Sequence, residues 1–123
     1  MAAGTPNINS NQPVSLTGQG YQPSSVPPVT GSFTATGPST SFAPVAGRPF
    51  NVWLAPFTGS VQLECSPDGV NWYILTTNGV QFEKWINPTA AFQEKWEITE
   101  VGVLFRLNCT LYVSGSPSYR LSQ

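Results

Sequence analysis

Apolar and polar side chains alternate along residues 103–113, and this pattern constrains the fold more than any other feature of the sequence. Every odd-numbered position in the run is apolar, while the even-numbered positions are largely polar. A period of two over this length predicts a long β-strand with one buried face and one largely polar face. Residues 61–65 alternate in the same way, so both cysteines, Cys65 and Cys109, are predicted to point inward.

Two turn dipeptides, Asp68-Gly69 and Asn78-Gly79, separate short runs of strand-forming residues. Such dipeptides supply the positive φ angles that tight hairpin turns require, so we predict structural turns at these four residues. The turns would join three consecutive strands into a meander at residues 61–65, 71–75 and 80–82. Further strands are predicted at residues 50–55, 95–99 and 119–121.

The chain shows no convincing 3.6-residue period, which argues against helices. Several short strands with frequent turns predict an all-β fold, a small antiparallel β-sandwich or barrel. To this fold the sequence adds an extended N-terminal arm that is rich in Pro, Gly and Ser.

Charge is distributed very unevenly along the chain. Residues 1–47 carry no charged side chain, and all eleven charged residues follow them. The uncharged stretch is rich in proline and glycine, a composition typical of disorder or of an extended linker. We therefore predict an extended arm at residues 1–47 and a β-sandwich core domain at residues 48–123. Within the arm, residues 32–36 and 41–43 are candidate edge strands.

The composition argues against several functional classes. Only 9% of the residues are charged and the net charge is −1, so we expect no nucleic-acid or membrane partner. Histidine, the commonest general base and zinc ligand, is absent, and two cysteines cannot form a thiolate metal cage. We expect no enzyme activity, no catalytic residue, no metal and no cofactor. Glu64, Glu94 and Glu97 are expected on solvated strand faces.

The segment Ser66-Pro67-Asp68-Gly69-Val70-Asn71-Trp72 follows one predicted strand and precedes another. It resembles a hairpin found in discoidin-type carbohydrate-binding modules and in small virion proteins of tailed phages. In those proteins the Asp-Gly closes the turn and the Trp packs behind it. Residues 100–110 and 118–123 look similar to the C-terminal halves of short phage structural proteins. The resemblance covers residues 48–123 and implies a small β domain that docks on a capsid or tail.

The expected function is that of a capsid decoration or cement protein, which binds and stabilises the lattice of the major capsid protein. The implied partners are the major capsid protein or other virion proteins, together with further copies of the chain, as in a trimer. The implied location is the virion, after synthesis in the host cytoplasm. The arm would add edge strands to neighbouring subunits and insert Tyr21, Phe33 and Phe42 into their pockets, which requires no charge.

A second interpretation remains open at this stage. The core would be a glycan-binding β-sandwich module, or an adhesion component associated with a tail or fibre, whose exposed aromatic residues stack on sugar rings. The arm would then be a linker, although a linker has no need of scattered large apolar residues. Trp72 and Trp96 are expected to be packing anchors rather than parts of a sugar-binding surface.

Overall fold

The computed structural model describes residues 26–123, and this part of the chain forms strands and loops without any helix. All of its strand pairs are antiparallel. The predicted all-β class is therefore confirmed. The strands are β1 (Val29–Ser32), β2 (Gly37–Pro38), β3 (Pro49–Leu54), β4 (Thr58–Ser66), β5 (Tyr73–Ile74), β6 (Thr76–Thr77), β7 (Val80–Gln81), β8 (Lys84–Ile86), β9 (Phe92–Glu97), β10 (Leu104–Ser114) and β11 (Ser118–Ser122).

These strands form two sheets packed as a sandwich, which agrees with the predicted architecture. Sheet A has the strand order β9-β3-β11-β1. Sheet B has the order β2-β10-β4-β5, and β8 also pairs with β4. Strands β6 and β7 form a separate hairpin. Both sheets contribute their inward side chains to one hydrophobic core.

Aromatic rings occupy the centre of the core. The Phe50 ring of sheet A lies 4.8 Å from the Phe105 ring of sheet B and 5.6 Å from the Phe42 ring, measured between centroids. All three side chains are almost completely buried. Burying a phenylalanine contributes roughly 1.5–3 kcal/mol to folding, so these rings join the two sheets firmly.

Strand β10 follows the predicted alternation for only part of its length. Phe105, Leu107 and Cys109 are buried, but Leu111 is 52% exposed and Val113 is 60% exposed. The pairing with β4 shifts between Cys109 and Leu111, which marks a β-bulge, and shifts again before the strand ends. A bulge inserts one extra residue and moves the following side chains to the other face. The predicted inward positions at 111 and 113 are therefore wrong.

The other predicted strands agree with the structure to different degrees. Strands β3 and β11 match residues 50–55 and 119–121 to within a residue or two, whereas β9 begins three residues before the predicted 95–99. The predicted meander forms only in part. Strand β5 pairs with β4, but the chain then leaves the sheet, and the β6–β7 hairpin is a separate ladder.

The chain from residue 26 to residue 47, here called the strap, belongs to the sandwich. Strand β1 pairs with β11 in sheet A, and β2 pairs with β10 in sheet B, so the strap crosses from one sheet to the other. Val26 already packs against the core. The folded domain thus extends well before the boundary predicted at Gly47. Residues 1–25 lie outside the described part of the chain.

Candidate interaction surfaces

Phe33 and Phe42, expected to enter pockets on a partner, are buried in the core of their own chain. Their exposed fractions are 5% and 1%. The Phe33 ring lies 4.6 Å from the Tyr119 ring, and its N–H donates to the Pro117 carbonyl oxygen. Phe42 and Phe105 exchange two backbone hydrogen bonds of 2.7 and 2.9 Å. Residues 33–36 form no strand and Phe42 makes only an isolated bridge to Phe105, so the predicted edge strands at 32–36 and 41–43 are largely absent. The burial of both rings in this sandwich corrects the role predicted for them.

Tyr21, the third aromatic residue assigned to partner binding, lies outside the described residues. Its proposed contact with a partner stays a prediction.

Asp68 organises the loop after β4 through its side chain. Its Oδ1 accepts hydrogen bonds from the backbone N–H groups of Val70 and Asn71, both 2.8 Å, and from the Ser66 hydroxyl at 2.9 Å. These backbone hydrogen bonds come first among the causes that hold the pKa of Asp68 well below its usual value. Gly69 follows with a φ of 77°, so the predicted turn residues do form a turn. It is closed by a side chain rather than by a two-residue hairpin.

Asn78 and Gly79 occupy the two central positions of the β6–β7 hairpin, with φ angles of 53° and 77°. Two successive positive φ angles define the type I′ turn, which matches the twist of the strands it joins. The hairpin lies over the outer face of sheet B, where Gln81 Nε2 donates to Gln62 Oε1 at 2.9 Å.

A polar network lies beneath this hairpin and was missed in the sequence. Glu64 accepts hydrogen bonds from Gln62 at 2.6 Å, Arg106 at 2.8 Å and Asn108 at 2.9 Å. Glu64 is 6% exposed, so its expected place on a solvated face is wrong. Burial alone would raise the pKa of Glu64, but the three hydrogen bonds and the Arg106 charge together lower it.

Trp72 covers one end of this network. The Arg106 guanidinium carbon lies 4.2 Å from the centroid of the Trp72 ring, which is a cation–π contact. Trp72 is half-buried and thus packs on sheet B, as expected for a packing anchor. Its partner is a charged side chain of β10, which alternation alone does not identify.

The side of the sandwich opposite the strap is closed by residues 82–85 against β9. The rings of Phe82 and Trp96 lie 5.1 Å apart, and those of Trp85 and Phe92 lie 5.2 Å apart. Between these pairs, the carboxyl groups of Glu83 and Glu94 share a hydrogen bond.

Burial, this hydrogen bond and the Glu94 charge raise the pKa of Glu83 to about 7. The Trp85 indole N–H also donates to Glu94, at 3.4 Å. Glu94 is therefore half-buried with Trp96 rather than on a solvated face, while Glu97 is exposed as expected. Only the fold brings residues 83 and 94 together, because Glu83 directly precedes β8 of sheet B and Glu94 lies in β9 of sheet A.

Besides Tyr73 and Ile74 of β5, three large apolar side chains of sheet B are exposed, and we call these three the apolar row: Ile86, Leu111 and Val113. Ile86 is 65% exposed. Ile86 and Leu111 both pair with Ser60 from opposite sides of β4, so they flank this small residue on the outer face. The β6–β7 hairpin contacts that face through the Gln81–Gln62 hydrogen bond. The β10 bulge brings Leu111 and Val113 to this face, which the sequence pattern did not indicate.

Within residues 26–123, no three His, Cys, Asp or Glu side chains are placed to hold a metal ion. The same part of the chain contains no helix long and apolar enough to cross a membrane. Cys65 and Cys109 are free thiols, and burial raises the pKa of each.

Comparisons with family models, with curated proteins and with solved structures found no match to this chain. The resemblance to phage structural proteins therefore stays a prediction.

Proposed function

We propose that this chain is a structural protein of a tailed-phage virion, a decoration protein that binds the lattice of the major capsid protein. The observation that carries the proposal is the apolar row on the outer face of sheet B. The other large apolar side chains of β4 and β10 are mostly buried or packed, whereas these three are more than half exposed. Contiguous exposed apolar side chains mark protein–protein contact sites.

The position of the apolar row suits a contact with a flat protein surface. The row lies across β8, β4 and β10, which are hydrogen-bonded to each other. A sheet holds its side chains rigidly, so little conformational entropy is lost when the row is covered. Repeated copies on a lattice would each bury this row against the same coat-protein surface.

The N-terminal residues supply the second part of the proposed contact. Residues 1–25 are uncharged, and they contain Tyr21. Phe33 and Phe42 are buried in the core of their own chain. Of the three aromatic residues predicted to enter partner pockets, Tyr21 is therefore the one that remains a candidate. An uncharged segment binds through backbone hydrogen bonds and apolar contacts, and it gains from being tethered to a domain that is already docked.

The test is a binding assay on purified particles that lack the protein. Full-length chain and a Leu111→Asp variant are mixed with particles, the particles are pelleted, and the bound fractions are compared. A charge in the centre of an apolar contact should lower the bound fraction at least tenfold. Val101→Asp is the matched control, because Val101 is 85% exposed on a loop outside the row. Equal retention of Leu111→Asp and the full-length chain would refute the proposed contact.

A companion truncation separates the two parts of the contact. Removing residues 1–24 leaves every described strand in place. We expect weaker binding that is still detectable, because the apolar row remains. Saturation of the particles also gives the copy number, and hundreds of copies per particle are expected for a capsid location. A dozen or fewer would contradict it and indicate a neck, tail or fibre.

A further inference from the structure

The outer face of sheet A differs in chemistry from the rest of the surface. Trp53 lies at its centre and is 45% exposed. Its neighbours on β3, Val52 and Leu54, point inward and are buried, so the indole projects to the outside. The register places Gln93 on one side of Trp53 and Arg120 on the other. A large aromatic ring thus lies open on a four-stranded sheet between an amide and a guanidinium group.

Hydrogen bonds hold this surface in place. The Trp53 indole N–H donates to the Ser122 hydroxyl at 3.3 Å. Gln93 Nε2 donates to Asn51 Oδ1 at 2.7 Å, and Asn51 is the next outward residue of β3. The bond to Ser122 restrains the indole, and the Gln93–Asn51 bond restrains the amide beside it. Such preorganisation lowers the entropic cost of binding.

A depression of about 240 Å³ adjoins the indole. Its walls include Ala55, Ala91, Phe92 and Tyr119, and Arg120 lies at its rim together with Trp53. The lining is largely apolar, and Arg120 is its one charged residue. The size is comparable to that of one sugar unit.

The charged side chains next to the Trp53 ring are positive. Arg120 is directly beside Trp53, and Lys95 lies diagonally across from it on β9. Within residues 26–123 neither forms an ion pair, whereas Arg106 is bound to Glu64. The acidic residue of this face, Glu97, lies at the far end of β9. Two of the five cationic residues in the whole chain therefore flank the exposed ring without a carboxylate partner.

We infer that this face binds an acidic saccharide, with a pyranose ring stacked on Trp53 and its carboxylate held by Arg120 and Lys95. The C–H face of a pyranose is apolar and packs on an aromatic ring, while its hydroxyl groups accept and donate hydrogen bonds at the ring's edge. Arginine pairs with a carboxylate in a bidentate geometry, which explains why it stands next to the indole. Gln93 Nε2 donates to Asn51 and to the Glu94 carbonyl oxygen, so its Oε1 is the atom that can accept from a ring hydroxyl.

The inference goes beyond the proposed role on the capsid and is compatible with it. The saccharide face and the apolar row lie on the outer faces of opposite sheets. A copy that covers its apolar row with a coat protein would turn Trp53 away from the particle. The two sites can therefore be tested and refuted separately.

The experiment measures binding of the full-length chain to immobilised polysaccharides. The acidic probes are polygalacturonate, alginate, hyaluronate and polysialic acid, and the neutral probes are dextran and a soluble β-glucan. We expect binding to at least one acidic probe, and no more than a tenth of that affinity for either neutral probe. Failure to bind any acidic probe, or equal binding to both classes, would overturn the inference.

Variants assign the binding to this face. Trp53→Ala should lose binding at least tenfold, and Arg120→Gln should lose affinity for the acidic probe while circular dichroism stays unchanged. Tyr73→Ala is the matched control, because Tyr73 is an aromatic residue of sheet B that is 56% exposed. Unchanged binding by both Trp53→Ala and Arg120→Gln would refute the site. Particle pelleting by Trp53→Ala should match the full-length chain, so loss there would point to a shared surface instead.

Discussion

The strap and residues 67–82, here called the loop, both connect the longer strands of the sandwich but differ in how they are held. The strap buries two phenylalanine rings, Phe33 and Phe42, and contributes a strand to each sheet. The loop has well-formed turns, yet Val70 is 78% exposed and Val80 is 69% exposed. Good local turn geometry therefore says little about how tightly a segment is held. A few aromatic side chains with partners on distant strands decide it.

The largest expected effect is the difference in thermal stability between two truncations, one that removes residues 1–47 and one that removes residues 1–24. Removing residues 1–47 deletes β1, β2 and both buried rings, each worth about 3–5 kcal/mol as a Phe→Ala change. The sum approaches the whole stability of a typical domain, about 5–15 kcal/mol. We expect no cooperative thermal transition for this truncation. Removal of residues 1–24 should leave the melting temperature within a few degrees, and loss of folding there would contradict the strap boundary.

Single substitutions sharpen the same contrast. Phe42→Ala should lower the free energy of unfolding by about 3–5 kcal/mol, because it opens a cavity beside Phe50 in the core. Val80→Ala in the loop should change it by less than about 0.5 kcal/mol. Urea titrations of both variants measure the difference. Similar losses would mean that burial does not distinguish the two segments.

Glycine substitutions should remove the contrast. Gly47 in the strap has a φ of 83°, Gly79 in the loop has a φ of 77°, and a Cβ at either position meets open space. The cost of Gly→Val is then backbone strain alone, about 1–2 kcal/mol at each position. Thermal melts of Gly47→Val and Gly79→Val should therefore shift by similar amounts. A much larger loss at Gly47 would show that the strap carries strain of its own.

The smallest expected effect is a pH dependence limited to one side of the sandwich. The raised pKa of Glu83, about 7 against a usual value of 4.5, means that the folded protein favours the protonated carboxyl. Its stabilising contact with Glu94 is thus complete below about pH 4.5 and is lost as the pH rises to about 7. With partial exposure taken into account, the change is on the order of 1 kcal/mol.

The measurement is amide hydrogen exchange at pH 5 and pH 8, corrected for intrinsic rates. Amides of β8 and β9 should open more readily at pH 8, and Glu83→Gln should remove this difference. Strap amides should not respond, because residues 26–47 contain no titratable side chain. An equal response in the strap would show that the carboxyl pair affects global rather than local stability. At acidic pH the lowered pKa of Glu64 acts in the opposite sense, since its stabilisation is lost as the pH falls.

Sequence patterns predicted local structure better than they predicted burial. The alternation up to Cys109 and the Asn78-Gly79 turn agree with the structure, because both depend on neighbouring residues. The β10 bulge reversed Leu111, since a bulge depends on the partner strand and leaves no period of its own. Phe33 and Phe42 lie in a stretch whose composition suggests an arm, but their partners are up to 86 residues away along the chain.

The candidate surfaces were predictable only in their chemistry. A sequence without histidine or clustered metal ligands directs attention to contact surfaces, and this remains a prediction. The neighbours of Trp53 could not be predicted from the sequence. Gln93 and Arg120 lie beside it only because β9 and β11 flank β3 in sheet A. Glu83 and Glu94 likewise meet only when the two sheets pack. Strand order is a non-local property that a single sequence does not reveal.

The place of β11 in sheet A has a consequence for biosynthesis. It is the last strand along the chain, yet it lies between β3 and β1. During translation β1 has no partner until residues 118–122 have been made, and Phe33 waits as long for Tyr119. Pairings between such distant residues form slowly, and unpaired strands expose a growing chain to aggregation. A nascent chain is therefore expected to close its sandwich late, after residues 118–122 have been made.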